Sequence, residues 1–329
     1  MNGRRLAAAL LVLAAVSAAV TAGVAGGAGS QKTLKVRVVT VTPTTAGTWD
    51  PSHFRSYSAV AKRMHWNLQI AQALAYGKAD QVFDRWGSEG VDIVFSTDNG
   101  FQSHMLAAAK KFPNTLWVTM SDLSTTGGLK NVGAYSVDWC QAGFAQGVVA
   151  GLLSKTHKIG AVGAIPILPA QRTLKGLQYG ANLVAKGTKV DLKYSGDFID
   201  AQKGQEAAKA LMGDGADVIV AVTQGGISPQ IAAAVQSAGK LYVGSYADET
   251  RFAPKATVTS AVFDFSLGYQ RVAQAKLDGT FKPAIYHYGV KQGFIKLAKP
   301  FKLGHAGIQK KVDSYLARLA AGKIKIPGC

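Results

Sequence analysis

The 329-residue sequence contains only two cysteines, Cys140 and Cys329. That count excludes a disulfide-dense scaffold and a cysteine-rich zinc module. Acidic residues are also scarce, 19 against 37 Lys and Arg, for a formal net charge of +18. The basic residues do not gather into the dense patch that nucleic-acid binding uses. They are spread along the chain (Lys62, Lys78, Lys110, Lys155, Lys186, Lys203, Lys291, Lys323), and only Lys310-Lys311 and Lys323–Pro327 approach a cluster. A solvated basic surface accounts for them. Beyond the first thirty residues no apolar run approaches the ~20 needed to cross a bilayer. What is abundant is apolar residue, 48% against 17% charged, enough to bury a large core and too much for a disordered chain.

Residues 1–30 have the pattern of an export signal: Arg4 and Arg5, an apolar stretch from Leu6 to Val20, then small residues at Ala22, Gly23, Ala25, Gly26, Gly27 and Ala28. An uncleaved anchor is the competing reading. No cysteine stands near this junction, so a lipoprotein is not expected. Removing the two arginines leaves 18 − 2 = +16 on the mature chain. In an oxidising exported compartment Cys140 and Cys329 are candidates for a disulfide. Sequence does not place their Cα atoms within bridging range, and the competing account is a Cys140 buried in a helix with a free Cys329.

From residue 34 onward β-branched runs alternate with helical patterns. Leu34–Val41, Leu68–Leu74, Val91–Phe95, Leu116–Met120, Lys158–Ala164, Val190–Tyr194, Asp217–Val222, Leu241–Gly244 and Thr257–Val262 read as strands, and a strand pair is expected between Ile285 and Leu297. Helices are expected at 56–64, 81–90, 105–112, 138–154, 174–186, 201–212, 231–238, 267–277 and 308–320. The segment EGVDIVFSTDNG around Asp92 is echoed by DGADVIVAVTQGG around Asp217. Two rounds of βα units predict an α/β protein with two doubly wound parallel-sheet lobes joined by a hinge. The expected first lobe is 31–156 plus about 263–283, and the second is 157–262 plus about 284–329.

No Walker loop, HExxH, CxxC or GxSxG occurs, and the six histidines (53, 65, 104, 157, 287, 305) lack metal-ligand spacing. Catalytic residues, metal and cofactor are therefore not expected. In doubly wound sheets ligands sit beyond the carboxyl ends of the strands. The residues found there are Thr48–Phe54, Asp98–Phe101, Ser121-Asp122, Ile165-Pro166, Asp197-Phe198 with Asp200, Gln224–Gly226, Tyr246 with Asp248, and Phe263-Asp264. Aromatics, short acids and amides recur, whereas Lys and Arg are nearly missing. A flat, nitrogen-rich ring fits that set by stacking and edge hydrogen bonds, and an anion does not. The competing account makes the aromatics packing residues and the acids helix caps.

Three blocks carry a family resemblance: AAAKKFPNTLWVTMSD (107–122), AGFAQGVVAGLLSKTHKIGAVGAIP (142–166) and GQEAAKALMGDGADVIVAVTQGG (204–226). The chain resembles the basic membrane protein, PnrA-like family of ABC-transporter substrate-binding proteins, of the type I periplasmic-binding fold. Trp49 with His53, the Pro166 loop, Asp200, APKATVTSAVFD (253–264) and Gly268-Tyr269 are most similar to its adenine-like purine branch. The resemblance implies ligand-binding roles for Trp49, His53, Asn99, Phe101, Phe198, Asp200, Gln224, Asp248 and Asp264, to which the strand-end reading adds Tyr246. Two departures stand out: Phe54-Arg55 replaces acids, and Phe263-Asp264 replaces a ribose-facing Lys. They favour a free base or another heteroaromatic over a nucleoside.

The function expected is that of a monomeric periplasmic solute receptor, closing on a small purine-like ligand and delivering it to an inner-membrane ABC permease, without nucleic-acid binding. An exported sensory module for a membrane receptor and a nucleoside hydrolase are the alternatives. A DNA regulator of the same fold class would need an N-terminal helix-turn-helix, which the sequence lacks.

Overall fold

The structure is a computed structural model that describes residues 33–222 and 226–329. The expected export signal and Gln224 lie outside the described residues. The strands are β1 (Lys35–Val39), β2 (Asn67–Ala71), β3 (Ile93–Ser96), β4 (Leu116–Thr119), β5 (Val132–Val137), β6 (Lys158–Gly163), β7 (Lys189–Tyr194), β8 (Val218–Ala221), β9 (Leu241–Tyr246), β10 (Thr257–Phe263), β11 (Ile285–Tyr288) and β12 (Ile295–Leu297). The helices are α1 (Trp49–Met64), α2 (Ala79–Ser88), α3 (Gln102–Lys111), α4 (Trp139–Leu153), α5 (Leu168–Val184), α6 (Ala201–Gly213), α7 (Ser228–Ser237), α8 (Ser266–Leu277) and α9 (Ala306–Ala320).

Two six-stranded sheets form, in the orders β11-β5-β4-β3-β1-β2 and β12-β10-β9-β8-β6-β7. Leaving aside the last-added edge strand of each, both sheets have one connectivity, and all five of those strands run parallel. The echoed segments become β3 and β8, which hold the same place in the two sheets. The expected strand pair near 285–297 divides instead: β11 joins β5 in parallel and β12 joins β10 antiparallel. The chain therefore recrosses after Tyr288 rather than near residue 284.

Side-chain alternation sends each strand's apolar residues to both faces, as buried parallel strands require. In the first sheet Val39, Val94 and Trp117 pack with α2 and α3 residues such as Phe83, Trp86 and Met105. The opposite face, with Val36, Val38, Phe95 and Val118, joins Tyr57 and Val60 of α1. The second sheet buries Val162, Ile219 and Tyr242 with α6 and α7, and turns Ile159, Ala161, Val220 and Val243 the other way. That last face shares one continuous core with the α1 side of the first sheet.

The crossover helix α4 is nearly all buried. It sits against the second sheet, where Gln146 Nε2 donates to Ala221 O, Gly244 O and Ser245 Oγ at 3.0, 3.1 and 2.7 Å. Its glycines let α5 approach to backbone contact. A Cβ at Gly143 would lie 1.8 Å from Thr173 O, and one at Gly147 would lie 2.2 Å from Leu177 O. From the other side, a Cβ at Gly176 would lie 1.9 Å from Cys140 O. Cys140 and Cys329 are disulfide-bonded with Cα atoms 6.2 Å apart, which resolves the choice the sequence left open. The tail is also held by Lys175 Nζ, which donates to Gly328 O at 3.3 Å.

Candidate ligand-binding cleft

The carboxyl ends of strands from both sheets open on a cavity of about 570 Å³. One wall comes from the first sheet: Asp98 and Asn99 after β3, Ser121 and Asp122 after β4, and His287 of β11, with Tyr76 at the rim. The other comes from the second sheet: Ile165 after β6, Leu168 and Arg172 of α5, Phe198 after β7 and Val222 after β8. Trp49, Trp139 and Tyr246 lie between them.

These three rings form a buried aromatic floor. Trp49 and Trp139 are stacked at 5.9 Å, and Tyr246 meets both edge-on at 5.6 and 6.3 Å. Trp49 is fixed by Nε1, which donates to Thr97 O at 2.9 Å. It opens α1, which starts at Trp49 instead of the expected Ser56. The earlier start is possible because Pro51 falls in the first turn, where a missing N–H costs nothing. Asp50 ties that turn down by accepting from Thr42 N at 2.9 Å and Thr97 Oγ1 at 2.6 Å. Burial pushes its carboxyl up, against those hydrogen bonds. Tyr246 holds a left-handed backbone (φ 67°), and its carbonyl accepts from Ser52 Oγ of α1 at 2.7 Å. A bulky residue kept in that region is strained and must be over-determined by its surroundings. The strand end of the second sheet is thus fastened to a helix of the first.

The first wall is acidic and internally braced. Asp98 Oδ1 accepts from Gly100 N at 2.7 Å and Tyr76 Oη at 2.8 Å. Asp122 accepts from Ser136 Oγ at 2.7 Å and from Trp139 Nε1 at 2.9 Å, with His287 Nε2 at 3.7 Å. Each carboxylate keeps lone-pair capacity toward the cavity. The second wall differs. α5 begins at the cleft with no side-chain cap, and among the described residues no ion pair or hydrogen bond holds Arg172.

Of the residues singled out by sequence, the structure brings Trp49, Asn99, Phe198 and Tyr246 to the cleft. The other described ones lie elsewhere. His53 is fully buried beneath Trp49, its Nδ1 3.0 Å from Tyr269 Oη and its ring stacked on Phe265 at 3.7 Å. Burial holds its imidazole well below its ordinary pKa, so it is neutral. Phe101 packs into the α2–α3 core against Phe83. Asp200 caps α6 through Gln202 N and Lys203 N, and Asp248 caps a turn at Thr250. Asp264 pairs with Lys296 at 2.9 Å, which draws its carboxyl down against the effect of burial. Tyr76, Asp122, Trp139, Arg172 and His287 are cleft residues outside the sequence-derived set. Asp122 was visible as a strand-end residue. Arg172 was hidden because the helical pattern was legible only from Leu174, whereas α5 starts at Leu168.

Residues 35–328 match the family described as ABC transporter substrate-binding protein PnrA-like. The chain belongs to this family. Among its PnrA-like relatives, a purine-binding protein of Brucella abortus is 26% identical over 91% of this chain and 84% of its own length. An ABC transporter nucleoside-binding protein of Lactococcus lactis is 26% identical over 73% of this chain and 72% of its own. The solved structure of a solute-binding protein of an ABC transporter system from Conexibacter woesei superposes with a TM-score of 0.76 at 25% identity, covering 89% of this chain and 98% of that one. The two-lobed α/β architecture is thus that of type I solute-binding proteins. Among the described residues no helix is long and apolar enough to cross a membrane, and no group of His, Cys, Asp and Glu could hold a metal ion.

Proposed function

We propose that this PnrA-like protein is an exported receptor that binds a purine base or a related heteroaromatic in the interlobe cleft and delivers it to an ABC permease. The observation that carries the reading is a cavity lined by aromatic rings on both walls (Tyr76 on one, Phe198 on the other) and on its floor (Trp49, Trp139 and Tyr246), beside two carboxylates able to accept from N–H edges. A purine offers two faces to stack and several N–H groups at its rim. The purine- and nucleoside-binding names of the relatives support the same class.

The chain passes between the sheets at α4, after β10 and after β11. Three connections suit a hinge that closes the two lobes on a ligand. Binding and closure without turnover is the chemistry assigned, in keeping with the purine- and nucleoside-binding names of the relatives.

The test is a thermal-shift screen of the mature protein, stripped of carried ligand by unfolding in urea with the disulfide intact and then refolding. The panel holds purine bases, nucleosides, other heteroaromatics, sugars and amino acids. A ligand at a hundredfold its dissociation constant adds about 2.7 kcal/mol and should raise Tm by several degrees. A response confined to sugars or amino acids overturns the purine assignment.

A further inference from the structure

The two cleft walls are chemically opposite, and the ligand must match both at once. On the first wall Asp98 and Asp122 have their near sides taken by donors of their own lobe and offer acceptors to the cavity. On the second wall the polar group is the guanidinium of Arg172, which lines the cavity with no partner among the described residues. Leu168 and Val222 on the same wall are apolar and supply no acceptor side chain. Left solvated, an arginine costs nothing. Covered by a closing cleft, it must find acceptors or lose hydrogen bonds.

The guanidinium presents parallel N–H donors in a rigid fork. On a purine, the edge with two adjacent acceptors is O6 with N7 of a 6-oxopurine, the pairing arginine uses for guanine. Adenine puts an amino group beside N7, so one arm of the fork would face N–H against N–H. The remaining N–H groups of a 6-oxopurine then face the carboxylates of the first wall.

We infer that Arg172 makes the cleft selective for 6-oxopurines, hypoxanthine and guanine and their nucleosides, over adenine. This rests on the purine reading above and sharpens its ligand class.

The experiment is calorimetric titration of the stripped protein with hypoxanthine, inosine, adenine and adenosine, on the wild type and on Arg172→Met and Arg172→Lys. A bidentate arginine contact discriminates by roughly ten- to a hundredfold. Hypoxanthine should therefore bind at least tenfold tighter than adenine. Arg172→Met should erase most of that gap by weakening hypoxanthine alone. Arg172→Lys should also lose it, because the charge survives and the fork does not. Adenine binding as tightly as hypoxanthine in the wild type overturns the inference and leaves the purine reading standing. Equal weakening of both bases by Arg172→Met, with full recovery in Arg172→Lys, also overturns it and assigns Arg172 to a charge latch between the lobes. Binding of no purine at all overturns both statements. Unliganded melting temperatures of the variants, expected to stay near wild type because Arg172 has no partner among the described residues, separate loss of fold from loss of recognition.

Discussion

The polar groups of the first wall of the cleft are held by the protein itself, and the guanidinium of the second is not held by any described residue. Asp122 is held by Ser136 and Trp139, Asp98 by its own turn and Tyr76, and Trp49 by Thr97. On the second wall Arg172 has no partner among the described residues, and Phe198 is only half-buried. The difference follows from how each wall is made. The first uses residues on or next to strand ends and helix starts, where backbone donors and short side chains are within reach. The second leans on the opening turns of α5, a helix that packs backbone to backbone against α4 and starts without a side-chain cap. On the proposed reading, one wall supplies geometry and the other acquires it from what it binds.

The strongest way to break this contrast is to move α5. Gly143→Val places a side chain where Thr173 O already stands and should destabilise the fold by about 3 kcal/mol. Ligand binding should fail in whatever fraction remains folded, because Arg172 and Leu168 move with the helix. Denaturant unfolding together with titration reads both effects.

A milder break is Asp122→Asn on the braced wall. An amide must turn an N–H toward either Ser136 or Trp139, both donors in the native arrangement, or toward the cavity. Purine affinity should fall about tenfold, roughly 1.5 kcal/mol, as a hydrogen bond to a charged group is lost. Titration measures it, and an unchanged affinity would remove Asp122 from the site.

The smallest effect concerns the ground behind Tyr246. Glu249 is fully buried there, accepting from Tyr242 Oη at 2.6 Å, and burial pushes its carboxyl up to about 7. A carboxyl with a raised folded pKa binds protons more tightly when folded. Its contribution to stability is therefore present below the unfolded value near 4.5 and lost as pH rises toward 7. Melting temperature should decline over that window, and Glu249→Gln should flatten the decline. An identical slope in the variant would sink the assignment.

Much of the architecture was legible because parallel strands buried on both faces write themselves as short β-branched runs. Even the echo between Asp92 and Asp217 mapped onto β3 and β8, equivalent strands of the two sheets. β5 went unread, since VGAYSV mixes small and polar residues and is buried by its neighbours rather than by its own pattern. The site was half legible. Position relative to strand ends pointed to Trp49, Asn99, Phe198 and Tyr246. It could not tell a cavity-facing group from a cap, as Asp200 and Asp248 show, or from a core ring, as Phe101 shows. Trp139 and His287 came to the cleft through a crossover helix and an edge strand that a local pattern does not place.

The disulfide gives the two halves different covalent topologies. By joining Cys140 to the last residue, it closes the chain into a ring that contains every strand of the second sheet. A protease cut anywhere inside that ring leaves one covalently linked molecule. A cut between β4 and β5, outside the ring, leaves a fragment carrying β1 to β4, the core of the braced wall, with no covalent tie to the rest. The lobe whose binding surface is least organised is thus the one whose chain ends are sewn together.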